Sequence, residues 1–230
     1  MISVNNLTLQ YGKRVLFDNV NLKFEGERCY GIIGANGAGK STFLKILNSE
    51  IEPNYGTVSI EKEKRISVLK QNHFEYDEIS LLETVMMGHQ ELWNVIQEKN
   101  KIYSKPDFSE EDGIEVAKLE EKFETLNGWN AESDAGNMLN GMDIATKQHN
   151  VLMKNTEPSV KVKVLLAQSL FGEPDYLILD EPTNNLDSKT IFWLEDFLLR
   201  FKNTVIVVSH NRHFLDTICT NIVDIDFQKI

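Results

Sequence analysis

The sequence predicts an α/β fold with a mostly parallel core sheet, and three observations carry that expectation. Short, almost wholly apolar runs at residues 28–33, 176–179 and 204–209 read as strands buried on both faces. A helix-forming segment follows each run, at residues 40–48, 189–201 and 212–219. Near the N-terminus, residues 3–10 and 14–24 alternate apolar with polar side chains, as half-buried strands do, and these supply an antiparallel β subdomain.

A chain of 230 residues can hold one large α/β domain with a sizeable core, or two small ones. A hydrophobic content of 41% and a charged content of 26% are those of an ordinary water-soluble globular domain. The net charge of −11 argues against a protein that tracks nucleic-acid phosphate by bulk charge, while leaving room for a local contact. No apolar run reaches 18 residues, so no membrane insertion is expected. The first twelve residues lack the basic and apolar segments of a signal peptide, and a cytoplasmic protein is expected. Cys29 and Cys219, in apolar strand-like or helix-like contexts, read as reduced core thiols.

The remaining elements follow in order. Residues 57–60 and 66–69 read as strands, and residues 80–88 as a helix opening on Ser80, with Leu81, Leu82, Val85 and Met86 at helical spacing. Residues 90–128 differ in character. Leu92, Val95, Ile96, Ile102 and Tyr103 form one helical stripe, and Val116, Leu119, Phe123 and Leu126 a second. Pro106 breaks the chain between them, and Ser109 with Asp112 has the spacing of a capping box. The segment reads as an antiparallel helical pair inserted into the α/β rhythm. That rhythm resumes with a helix at 162–171 and closes with a strand at 222–227.

Gly34-Ala35-Asn36-Gly37-Ala38-Gly39-Lys40-Ser41 matches G-x-x-x-x-G-K-[ST], and Thr42 follows. It lies between a buried strand and a helix, the context the motif requires. The glycines let successive backbone N–H groups turn toward phosphate oxygens, and the helix N-terminus adds positive potential. Lys40 would bring a full charge to the β- and γ-phosphates of ATP, and the Ser41 hydroxyl would ligate Mg²⁺. A second buried strand ends in Asp180-Glu181. Asp180 is placed to hold Mg²⁺, and Glu181 to polarise a water for in-line attack. A third ends at His210, which could bond the γ-phosphate or orient that water, whereas His213 has no comparable placement.

Four features in this order resemble the ATP-binding cassette (ABC) family: the phosphate loop, the glutamine of Val68-Leu69-Lys70-Gln71, Asp180-Glu181-Pro182-Thr183, and Ser209-His210. The resemblance implies a P-loop NTPase fold of the ABC type. It makes Gln71 a residue that reaches Mg²⁺ and water, Tyr11 the aromatic residue that stacks on adenine, and Asn184-Asn185-Leu186-Asp187 the loop that touches a partner cassette. Asp180 to Asp187 and Ser209 to Asp216 are more similar still to the ABC-F branch, two-cassette proteins that act on ribosomes. The helical pair at 90–128 matches the position of that branch's arm. Met87 to Trp93, Ser109 to Gly113 and Thr190 to Glu195 resemble the N-terminal cassette of its YbiT-type subgroup. That likeness implies a second cassette and linker outside this chain, and rRNA or tRNA of the ribosome as partners. A lone cassette would pair with another copy instead.

One segment departs from the family. Where a signature L-S-G-G-Q/E is expected, before Lys161, the chain reads Thr156-Glu157-Pro158-Ser159-Val160. Glu157 brings negative charge where a donor is wanted, and Pro158 removes an N–H. The competing assignments are the nucleotide-binding subunit of a membrane transporter and a nucleotide-binding switch without turnover. A transporter cassette carries a more compact helical insert and a partner-facing loop closer to S-A-L-D. Glu181 argues against the switch.

Overall fold

In the computed structural model, residues 1–70, 72 and 74–226 are described. The chain begins with β1 (Ile2–Tyr11), β2 (Arg14–Phe24), β3 (Cys29–Gly34), α1 (Lys40–Leu47), β4 (Tyr55–Ile60) and β5 (Ile66–Val68). Five helices follow: α2 (Leu81–Met86), α3 (Gln90–Tyr103), α4 (Glu110–Thr125), α5 (Ala131–Gly141) and α6 (Pro158–Leu170). The last elements are β6 (Tyr176–Asp180), α7 (Ser188–Arg200), β7 (Thr204–Val208), α8 (Arg212–Ile218) and β8 (Asn221–Ile225). They fall into two compact units, residues 1–69 with 173–230, and residues 70–172.

The first unit holds both sheets. β1 lies between β2 and β4 in an antiparallel sheet, and the parallel sheet runs β5-β6-β7-β3-β8. The register of the parallel sheet decides where chemistry can occur. Val208 pairs with both Asp180 and Ile32, so three strands end in one row. The segments leaving that row are the phosphate loop, Glu181 and Ser209-His210, and open α/β sheets bind ligands at this carboxyl edge. Strands β6 and β7 are buried along almost their whole length, as their apolar sequences require.

One core joins the two sheets. Phe17 of β2 meets Phe43 of α1 edge-on, with ring centroids 5.6 Å apart, and Phe24 meets Tyr30 of β3 at 4.9 Å. All three phenylalanines are fully buried. Each contributes on the order of 2–3 kcal/mol by burial, so the loop that starts α1 rests on a rigid floor.

The second unit is helical. α3 and α4 form the antiparallel pair, and α2 packs on α5 and α6. Both α2 and α4 begin with complete capping boxes, Ser80 with Glu83 and Ser109 with Asp112. Inside the pair, buried Lys99 donates to Glu120 at 2.9 Å and lies 3.8 Å from the Phe123 ring centroid. At the turn between the two helices the Lys105 ammonium is engaged by Asp112 while its side chain stays exposed, and the Tyr103 hydroxyl donates to Glu120. Phe108 stacks on Tyr103, both remaining about half exposed.

Helices α5 and α6 differ from the sequence expectation. Helix α5 was not foreseen, because its buried stripe is Ala131, Ala135 and Leu139, mostly methyl groups, in a glycine- and asparagine-containing segment. Helix α6 starts at Pro158, four residues before the expected start. Proline at the first helical position loses nothing, since that N–H has no intrahelical acceptor. Glu157 is therefore the exposed N-cap residue of α6, with no capping bond from its side chain.

Candidate nucleotide-binding site

The phosphate loop is shaped by glycine where only glycine fits. Gly34 and Gly39 have φ of 147° and 104°. A Cβ on Gly34 would sit 2.5 Å from the Ile225 carbonyl oxygen, and one on Gly39 would sit 2.9 Å from the Phe17 ring. The Ala38 N–H donates to the Ala35 carbonyl at 3.1 Å and closes the turn, and the Phe43 N–H donates to Gly39 at 2.8 Å to start α1. The Lys40 ammonium bridges the carbonyls of Gly34 and Ala35 at 2.9 and 3.1 Å, so it lies within the loop it serves.

Tyr11, Asn36, Gly37, Gly39, Lys40, Ser41, Thr42, Asp180, Glu181 and His210 line one open cleft of about 530 Å³. The remaining expected loop residues shape it from behind. Gly34 and Ala35 supply the carbonyls that hold Lys40, and Ala38 packs against the core. Gln71 lies outside the described residues.

At the acidic end, Glu181 has φ of 50°, a left-handed conformation that is uncommon for a side-chain-bearing residue. It is held by a bond from its own N–H to the Val208 carbonyl at 2.8 Å. Its carboxylate accepts from the His210 N–H at 3.1 Å, and the His210 imidazole Nε2 lies 3.4 Å from the other oxygen. The Ser209 hydroxyl ties this turn to Thr183 at 3.4 Å and accepts from the Asn211 N–H at 3.1 Å. Two buried oxygens on the cleft, Asp180 Oδ1 and Glu181 Oε1, make no hydrogen bond. Leaving them so costs about 1–3 kcal/mol each, which a bound cation or water would recover.

These residues fit Mg²⁺. The hydroxyl of Ser41 and the free oxygen of Asp180 are hard ligands on one cleft. Magnesium usually takes one or two carboxylates and completes its shell with substrate phosphate and water, so a cluster of three protein acids is not required. Among the described residues there is no such cluster.

Arg14 was missed by the sequence argument. It lines the same cleft, and its guanidinium donates to the Gly37 carbonyl at 2.8 Å. Its position follows from the hairpin, since Arg14 pairs with Tyr11 across the Gly12-Lys13 turn. A two-residue turn between alternating strands is legible in sequence and would have placed the two side chains together.

The comparisons agree with this geometry. The profile of the ABC transporter family matches residues 17–184. The chain is 59% identical over its whole length to the uncharacterized ABC transporter ATP-binding protein YkpA of Bacillus subtilis, covering 43% of it. It is 49% identical, with the same coverage, to the probable ATP-binding protein YbiT of Escherichia coli O157:H7. Human ATP-binding cassette sub-family F member 3 is 30% identical across the whole chain, which covers 32% of it. The chain thus spans less than half the length of these curated relatives. Among solved structures, the ATP-binding subunit of an ABC transporter superposes over the whole chain and 88% of its own, with TM-score 0.74 at 17% identity. The dimeric cassette MJ0796, bound to ADP and Pi, superposes over the whole chain and 96% of its own, with TM-score 0.69 at 19% identity. Among the described residues no helix is long and apolar enough to cross a membrane. With the phosphate loop, the acidic strand end and the histidine gathered at one sheet edge, and the family profile spanning most of the sequence, the chain belongs to the ABC transporter family as an ATP-binding cassette.

Proposed function

We propose that the chain is the N-terminal cassette of a two-cassette ABC-F ATPase that binds MgATP in the 530 Å³ cleft and hydrolyses it against a second cassette. The observation that carries this reading is the convergence of Lys40, Ser41, Asp180, Glu181, His210 and Tyr11 on one cleft. Backbone N–H groups of the loop, the Lys40 ammonium and the N-terminus of α1 bind the phosphate chain, and Tyr11, 54% exposed, offers a ring face to adenine. Bound at Ser41 and Asp180, Mg²⁺ supplies charge neutralisation for the transferred phosphoryl group. Glu181 accepts the proton of the attacking water through Oε1, which makes no hydrogen bond and has the His210 Nε2 3.4 Å away, and His210 orients the carboxylate through its backbone N–H to Oε2. Gln71 is proposed to reach the same water and metal.

The ABC-F assignment rests on the likeness to sub-family F proteins and on the α3–α4 pair, and it carries the cytoplasmic ribosome as the target. Residues 90–128 hold ten acids and five lysines, a net −5, so bulk attraction to RNA is not the means of contact. The stacked, half-exposed Tyr103 and Phe108 rings are the contact surface, by stacking or apolar packing. The experiment is co-sedimentation of the full two-cassette protein carrying Glu181→Gln with ribosomes in ATP. ATP-dependent pelleting that falls when Tyr103 and Phe108 are both changed to serine supports the reading. Nucleotide binding without any ribosome binding would remove the ribosome from it and leave the ATPase.

A further inference from the structure

The two cysteines, 190 residues apart in sequence, are neighbours in the fold, with their sulfurs 3.6 Å apart. Three hydrogen bonds fix the backbone around them. The Thr220 N–H and hydroxyl both donate to the Cys29 carbonyl, at 2.9 and 3.1 Å, and the Cys29 N–H donates to the Thr220 hydroxyl oxygen at 3.2 Å. Gly31 completes the seat. A Cβ there would lie 2.9 Å from the Cys219 sulfur, so the absent side chain is what lets that sulfur rest against β3. Cys29 is buried, whereas Cys219 is partly exposed at the C-terminal end of α8. The pair lies away from the nucleotide cleft, whose lining includes neither residue.

We propose that Cys219 and Cys29 form an oxidant-reactive dithiol site, with Cys219 the attacking thiol, Cys29 the resolving thiol and hydroperoxides the reactant class. The asymmetry of the pair assigns the roles. The Cys29 thiol donates its hydrogen bond to the Cys219 sulfur, which lowers the Cys219 pKa below its ordinary value and raises that of Cys29. The thiolate is the nucleophile in such chemistry, and the residue that is only partly buried is the one with thiolate character. In the first step the Cys219 thiolate attacks the outer oxygen of the hydroperoxide. The O–O bond breaks, the alcohol leaves with a proton from solvent, and Cys219 becomes the sulfenic acid. In the second step the Cys29 sulfur displaces hydroxide from that sulfenic sulfur, and its own proton leaves with the hydroxide as water. The net change is two thiols and one hydroperoxide to one disulfide, one alcohol and one water. The bond joins the start of the strand that ends in the phosphate loop to the end of the helix that begins after His210.

The test uses the native chain with cumene hydroperoxide. Thiols accessible after denaturation should fall from two to none, and peptide mapping without reductant should recover one peptide pair joined through Cys29 and Cys219 within a single molecule. Dithiothreitol should restore both thiols. In Cys29→Ser, dimedone should label Cys219, and in Cys219→Ser the buried Cys29 should stay reduced. The oxidised wild type should also unfold at higher urea than the reduced form, because the link closes a loop of 190 residues, and neither serine variant should gain such a shift. Both thiols remaining titratable, links only between molecules, or Cys219 oxidised beyond the sulfenic acid with Cys29 untouched would each overturn the proposal. If the serine variants fail to fold, the wild-type thiol count and peptide map decide alone.

Discussion

Glu181 occupies a left-handed backbone conformation so that its carboxylate faces the cleft while its N–H stays bonded to Val208. Strain of this kind persists only where surrounding contacts impose it, and here it aims the carboxylate proposed as the base. Glutamine preserves the shape and still accepts the His210 N–H bond, but it cannot take a proton. In the two-cassette protein Glu181→Gln is expected to keep ATP affinity and to lower turnover by on the order of 10²-fold or more, read by phosphate release against equilibrium nucleotide binding. Turnover equal to wild type would remove Glu181 as the base. Arg14 calls for a different expectation. Its guanidinium holds the Gly37 carbonyl and retains further N–H donors over the cleft. A charge-assisted bond to a nucleotide oxygen is worth about 1.5–3 kcal/mol, so Arg14→Ala should weaken ATP binding by roughly tenfold or more. Isothermal titration checks this, and Arg14→Lys, which keeps charge but loses the planar fork, should recover only part of the loss.

At the scale of elements, the α3–α4 pair shows how far local chemistry was readable. The Ser109–Asp112 capping box was legible because it depends on two side chains three residues apart, and it forms as expected. Removing the cap with Ser109→Ala should cost about 1 kcal/mol, measured by thermal or urea unfolding. The same box predicts an acid dependence. Lys105 and the Ser109 backbone and hydroxyl donors pull the Asp112 pKa from 3.8 to about 2. A depressed carboxylate pKa stabilises the fold above its unfolded value and loses that contribution as pH falls from there toward the folded value. Stability should therefore drop between about pH 4 and pH 2. Asp112→Asn should flatten that part of the pH profile, and an unchanged profile would show that Asp112 is not held as described. What the sequence did not yield was Lys105 as the partner of Asp112, since that pairing depends on how the turn around Pro106 folds back. Helix α5 was hidden for a related reason: a stripe of alanine becomes apolar evidence only once α2 and α6 are seen to pack on it.

At the scale of the molecule, most of the residues that line the candidate cleft were legible because they are concentrated in contiguous motifs that each end a strand. Strand order was not, since no local pattern says that β7 lies between β6 and β3, yet that order is what brings the three motifs together. The cleft is open, and the chain spans 43% of relatives such as YkpA and YbiT. The segment in the position of a signature motif forms the N-terminus of α6, with Glu157, Pro158 and Ser159 exposed. At that end Pro158 contributes no N–H, the Val160 N–H already donates to the Glu157 carbonyl at 3.0 Å, and Glu157 opposes an anion. Two copies of this chain should therefore complete each other's cleft poorly. The 230-residue chain alone is expected to bind ATP through Lys40, with binding lost in Lys40→Ala, while its hydrolysis per molecule stays slow and rises with protein concentration. The two-cassette protein should turn over faster at a rate independent of concentration. Steady-state phosphate release over a hundredfold range of protein concentration separates the cases. Fast, concentration-independent hydrolysis by a chain shown to be monomeric by ultracentrifugation would mean that the cleft needs no second cassette, and that Glu181, His210 and Lys40 suffice on their own.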